Sequence, residues 1–261
     1  MYQEVVKYNP FVDYILDVPN PDKWECIKKQ LSKNIKIVNL QVGHRIENVP
    51  GTALENDVRR YMNVCNMYSF DNSILSSFSQ YSAIPSLKMT PKFYLRDDVN
   101  ENLPHSYIVF HCCSNENRKN WKQNKWNILA EKIFEQKKYV VEVGVKSVIN
   151  SNSKYYINKT NLRDLHKIAN VIKNSTLFLG VDSSFSHFAN AFEKQAVLIF
   201  WSYGLFKIYN PYSGAYRNQN FVTFVYPIDV HEFYKSSKGV QVCDVFKAIM
   251  GRLQRISVLL C

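Results

Sequence analysis

The chain has 261 residues, 46% hydrophobic and 14% aromatic, with only eight Gly and nine Pro. That much apolar side chain offsets chain entropy and excludes collagen-like, low-complexity and disordered classes. Thirty-three Lys and Arg against 22 Asp and Glu leave a formal charge of +11, which favours an anionic partner: nucleic acid, an anionic membrane surface, a phosphorylated saccharide or a sugar nucleotide. The basic residues are scattered rather than gathered into an arm.

From the amino terminus, MYQEVVKYNP lacks a signal peptide's apolar centre, and no apolar run reaches the roughly 18–20 residues of a membrane span. A cytoplasmic location is expected. The six cysteines, Cys26, Cys65, Cys112, Cys113, Cys243 and Cys261, show neither CxxC nor zinc-ligand spacing and read as reduced thiols. Ile35–Leu40 is a first candidate strand, followed by a Ser/Asn-rich stretch over Ser69–Ser86 and a linker near Asp97–Pro104. Beyond it the candidate strands are Tyr107–His111, Tyr139–Val143, Thr176–Val181, Ala196–Trp201 and Phe221–Tyr226. Between them, Trp126, Leu129, Ala130, Ile133 and Phe134 fall on one face of a helix, and Leu165, Ile168, Ala169 and Ile172 on another. Strands alternating with amphipathic helices predict an α/β, Rossmann-like domain that binds its ligand at the carboxyl ends of the strands.

The most informative segment is Gly180–Ala191, in which a buried strand delivers Asp182, Ser183 and Ser184 to the start of a helix that carries His187. Unsatisfied N–H groups and the positive dipole end make such a helix start an anion site. The plain alternative is an Asp182 that only caps the helix and a His187 that is only a helix histidine. A second cluster, Cys112–Trp121, follows the Tyr107–His111 strand and offers Arg118 and Lys119 to a diphosphate, or else is a solvated basic loop. The aromatics Trp201, Tyr203, Phe206, Tyr209, Tyr212 and Tyr216 could stack a base or pack the core. No RNA-binding signature accompanies the basic residues, so no nucleic-acid partner is expected.

The order strand, R-K-x-W, amphipathic helix, strand, N-L-x-x-L helix and L-F-x-G-x-D-S-x-x-S-H-x-A-x-A, over Tyr107–Trp201, resembles glycosyltransferase family 9, the ADP-heptose:lipopolysaccharide heptosyltransferases and their relatives. Weaker similarity lies in Tyr8–Ile15 and from Val38 to Glu47, and V-x-V-C-D-V-F-K-A-I near Val240–Met250 is similar to the family's closing segment. The resemblance implies a GT-B-like fold: a shortened N-terminal α/β domain on the acceptor side, residues 1–96, and a C-terminal Rossmann-like domain, residues 97–261, that binds a nucleotide sugar. It implies an inverting, metal-independent transfer of a sugar such as heptose from a nucleoside-diphosphate donor, with ADP-heptose one candidate, to a lipopolysaccharide or other saccharide acceptor. No cofactor besides the donor and no metal is expected, and no DxD pair stands in the sequence. The positive charge suits peripheral association with the inner face of a membrane.

By position, Lys119 and His187 are the catalytic candidates, and Ser114, Lys119, Asp182, Ser183, Ser184 and His187 the donor-binding set. Two departures stand out. Ser184 replaces the family's usual Gly, and residues Met1–Val5 read as the element that follows the family's opening strand and G-D loop, whose aspartate serves as general base. Substitutes for that base are Asp13, His44, Glu47 and Asp57. A relative that binds a sugar nucleotide without turnover, and a basic nucleic-acid-binding protein, are the alternative readings.

Overall fold

The computed structural model describes residues 3–16, 21–30, 89–200, 212–217, 220–227 and 237–259. The chain divides into two compact units, one comprising Met1–Asn9, Lys88–Ile208 and Tyr212–Cys261, the other Pro10–Leu87 and Tyr209–Pro211. The candidate strand Ile35–Leu40, the Ser69–Ser86 stretch, His44, Glu47 and Asp57 lie outside the described residues. The second unit contributes residues 10–16, where Phe11, Asp13, Tyr14 and Leu16 are exposed, and the helix Pro21–Gln30.

In the first unit, chain order is helix α1 (Gln3–Val6), then β1 (Tyr107–His111), α2 (Gln123–Glu135), β2 (Tyr139–Gly144), β3 (Tyr156–Thr160), α3 (Leu165–Asn174), β4 (Leu177–Val181), α4 (Ser184–Ala191), β5 (Ala196–Ile199), β6 (Val222–Val225) and α5 (Val242–Leu259). The six strands form one parallel sheet in the order β3-β2-β1-β4-β5-β6. That is the doubly wound Rossmann order, with its reversal between β1 and β4.

β1, β4 and β5 are buried at every position, which is why they read as unbroken apolar runs: helices cover both faces. The α2 face expected from its spacing, Trp126, Leu129, Ala130, Ile133 and Phe134, is buried throughout and joins the β1, β4 and β5 side chains in the core. β3 carries no such run. It is an edge strand, Y-I-N-K-T, mostly half-buried and with three polar residues of five, so the sequence pattern holds no strand there and the structure adds one.

Gly180 on β4 faces His111 on β1 in the parallel register; an added Cβ there would stand 3.2 Å from His111 Cβ and 3.0 Å from the Phe178 ring. Asp164 caps α3 by accepting from the His166 and Lys167 amides at 2.9 and 3.2 Å, and Arg96 grips its carboxylate at 2.8 Å. Beside it, His166 Nδ1 accepts from the Arg96 amide at 3.3 Å, which leaves Nε2 to donate to the Glu4 carbonyl at 3.2 Å. The amino-terminal residues are thereby tied to the first turn of α3.

Candidate active site

In an open α/β sheet the crevice forms where neighbouring strands send their connections in opposite directions. β1 and β4 are those neighbours here, paired from Ile108 with Leu177 to His111 with Gly180. Their carboxyl ends deliver the two segments singled out in the sequence, Cys112–Trp121 and Asp182–Ser184.

The first loop is built around its own side chains. The Ser114 amide donates to Asn120 Oδ1 at 2.6 Å, the Asn120 amide group returns a bond to the Ser114 carbonyl at 3.1 Å, and the Ser114 hydroxyl donates to the Glu116 carbonyl at 3.0 Å. A single 3-10 turn, Asn117–Lys119, follows, with the Lys119 amide donating to the Glu116 carbonyl at 2.9 Å. Trp121 then anchors the loop: it is 4% exposed and its indole N–H donates to the Val240 carbonyl at 2.9 Å, just ahead of α5. The R-K-x-W spacing thus sends Trp121 into the core while Lys119 reaches the other way, over the crevice.

Lys119 meets Asp182. Its ammonium lies 2.8 Å from Asp182 Oδ2 and 3.7 Å from a Glu116 carboxylate oxygen, with the Asp182 side chain 5% exposed and that of Lys119 21%. The Tyr212 hydroxyl donates to Asp182 Oδ1 at 3.0 Å. Tyr212 is itself 2.6 Å from Ser186 Oγ, which bonds the Ser183 carbonyl at 2.5 Å and accepts from the Ser183 amide at 3.2 Å. Ser183 and Ser186 form a capping box, so Ser183 is the N-cap of α4 and Asp182 stands one residue outside the helix. Asp182 is therefore no simple cap; it is the buried acceptor of a cation and a phenol.

His187 lies one turn into α4 with its ring 4.7 Å from that of Tyr212. Part of it reaches solvent, yet the protein around it desolvates the ring and holds its pKa below the usual imidazole value, with Asp182 opposing and Lys119 reinforcing the shift. Ser184, in the place of the family's Gly, opens the helix in an exposed position and without a positive φ, so its Cβ strains nothing in the backbone. Burial drives the Tyr212 phenol well above its ordinary pKa, and the Asp182 charge adds to this, so the group stays a donor.

The structure thus brings Lys119, Asp182, Ser183, Ser184 and His187 to one end of the sheet, while the Ser114 hydroxyl is spent on its own loop. Arg118 turns to Glu116 at 2.6 Å. Tyr212 and Tyr216, candidates for stacking, are 1% and 0% exposed and pack in the core; Trp201, Tyr203, Phe206 and Tyr209 lie outside the described residues. Sequence reasoning missed Tyr212 and Ser186 as partners of the site. Ser186 stands inside the quoted motif, but nothing in the chain marks which of the later tyrosines reaches Asp182.

Among the described residues no group of three or more His, Cys, Asp or Glu side chains could hold a metal ion, and no helix is long and apolar enough to cross a membrane.

A family model for glycosyltransferase family 9 (heptosyltransferase) matches residues 47–213, more than half of the chain. The chain belongs to glycosyltransferase family 9. Several solved structures are similar to the chain. An Escherichia coli ADP-heptose lipopolysaccharide heptosyltransferase II matches at 15% identity over 66% of this chain and 55% of its own, with a TM-score of 0.50. A family 9 glycosyltransferase from Veillonella parvula matches at 18% identity over 59% and 48%, TM-score 0.49, and the E. coli heptosyltransferase WaaC with ADP at 13% over 68% and 54%, TM-score 0.47. The chain spans about half the length of these structures. No curated protein matches it significantly. The α/β, GT-B-like class expected from the sequence is the fold found.

Proposed function

We propose that this chain is a glycosyltransferase that moves a sugar, a heptose by family likeness, from a nucleoside-diphosphate donor to a lipopolysaccharide or other saccharide acceptor. The observation that carries the reading is the meeting of Lys119 and Asp182 over the switch point of the sheet, 2.8 Å apart, at the opening of α4.

Transfer of the sugar leaves the nucleoside diphosphate with an added negative charge, and charge that develops in the transition state is stabilised best by groups already in place. Lys119 supplies a cation held by a buried carboxylate, and the opening amides of α4 supply the positive end of a helix dipole. His187, neutral at neutral pH, offers a hydrogen bond one turn along. In this reading the transfer is inverting and metal-independent, the donor is the only small molecule required besides the acceptor, and the acceptor's proton leaves to a general base. A cytoplasmic place, with peripheral contact to an anionic membrane face, fits the net charge of +11.

A nucleoside diphosphate that binds the native state alone raises its melting temperature. ADP is expected to raise it by several degrees at 100 times its Kd, with Lys119→Ala and His187→Ala each reducing the shift. No shift with ADP, UDP, GDP or CDP at millimolar concentration would overturn the reading.

A further inference from the structure

Tyr212 stands thirty residues beyond Asp182 in the chain, yet its hydroxyl closes on that carboxylate. A phenol buried to 1% exposure is costly unless its hydroxyl is paired, and a Phe would fill the same core volume without that cost. Its ring is packed edge-on against Phe200 and Tyr216, with centroids 6.4 and 5.5 Å away, so it has little freedom to turn.

The segment that carries it is bolted to α4 by two residues four apart, and therefore on one helix face. Ser186 Oγ stands 2.6 Å from the Tyr212 hydroxyl; one turn on, the Asn190 side chain donates to the Ser213 carbonyl at 3.0 Å and accepts from the Tyr216 amide at 2.9 Å. Gly214 completes the clamp, with φ of +60° and Thr90 so near that a Cβ would overlap its backbone. The hydroxyl reaches Oδ1, the oxygen that Lys119 does not take, and a hydrogen bond to a carboxylate is among the stronger kinds.

We propose that Tyr212 is a positioning residue of the donor site: its hydroxyl fixes Oδ1 of Asp182, so that Oδ2 holds the Lys119 ammonium over the crevice where a diphosphate meets it. This rests on the donor-site reading above. Tyr212 touches no substrate; it acts through Asp182 on Lys119. The other titratable groups around Asp182 are His187 on α4 and Tyr226 after β6, whose phenol is pushed up to about 12 by burial first and by the Asp182 charge second. Among the described residues neither of these hydrogen-bonds Oδ1, so Tyr212 is the group to remove.

The test compares wild type with Tyr212→Phe, Ser186→Ala and Ser186→Thr by two readouts. The first needs no nucleotide: the lysine ammonium NMR signal of Lys119, assigned by its loss in Lys119→Arg, is slowed in exchange with water by the ion pair. It is expected to broaden in Tyr212→Phe, to broaden less in Ser186→Ala and to recover in Ser186→Thr. The second is the ratio of AMP to ADP dissociation constants. A merely structural defect weakens both nucleotides alike, whereas a displaced Lys119 weakens ADP selectively and lowers the ratio about fivefold in Tyr212→Phe.

An unchanged ammonium signal, or a preserved ratio with both affinities lowered together, overturns the proposal. If wild type binds neither nucleotide, the donor-site reading fails by itself, and the ammonium signal still decides whether Tyr212 holds the pair. If Tyr212→Phe does not fold, the two Ser186 variants decide by the same signal.

Discussion

Two charged side chains are buried near opposite ends of the sheet, Asp182 at the carboxyl end and Arg252 at the amino end, at 4% and 3% exposure. Their surroundings differ in kind. Arg252, on α5, donates to Thr223 Oγ1 at 2.8 Å, to Gln195 Oε1 at 2.9 Å and to the Asn220 carbonyl, all at the beginnings of β5 and β6. Those acceptors are uncharged and belong to the strands it pins. Asp182 is instead met by a lysine from a surface loop whose side chain keeps 21% of its exposure. Burial of a charge therefore does not by itself mark a site. What distinguishes the candidate site is a buried charge paired with an accessible one, at the place where the strand order reverses.

That contrast breaks if the amino end proves functional. Arg252→Met removes a buried guanidinium and three hydrogen bonds to half-buried or exposed acceptors and is expected to cost about 3 kcal/mol in urea unfolding, with ADP affinity of the folded protein unchanged. A loss of ADP affinity without loss of stability would place function at the wrong end.

His111 sharpens it within the carboxyl end. It closes β1, is 6% exposed, lies 4.4 Å ring to ring from Phe185 and bonds the Val143 carbonyl at 3.2 Å through Nδ1. Desolvation lowers its pKa to about 4, against a modest opposing effect of that carbonyl. The unfolded chain, with its ordinary imidazole, binds the proton more readily than the native state. Stability from this group is therefore full above pH 6.5 and is lost as pH falls toward 4, by roughly 3 kcal/mol in total. Melting temperature followed over that window should fall steeply in wild type and less steeply in His111→Gln, with no change in ADP binding at pH 8. Equal slopes would mean that His111 titrates normally.

How much of this stood in the sequence depends on burial. β1, β4 and β5 were readable to within a residue or two because strands buried at every position read as apolar runs, β2 and β6 because Val and aromatic residues still dominate them, and α2 because its core face repeats with helical period. β3 was not readable, since an edge strand carrying Asn158 and Lys159 leaves no such mark. The site was half readable. Lys119, Asp182 and His187 sit in a pattern whose spacing follows from one strand end and one helix start. Tyr212 and Ser186 join through a contact thirty residues apart in the chain for the former, and tertiary contacts of that kind leave no local period. Ser114 was read by its place in a loop, and only the hydrogen bonds reveal that its hydroxyl serves the loop itself.

The smallest effect is the most telling. Isothermal titration of ADP and AMP into wild type and Lys119→Ala asks whether the accessible member of the pair recognises the second phosphate. Wild type should bind ADP more tightly than AMP, and Lys119→Ala should lose about 2 kcal/mol, roughly thirtyfold, for ADP while AMP changes little. Equal losses for both nucleotides, or none for either, would contradict a diphosphate cradle at Lys119 and Asp182.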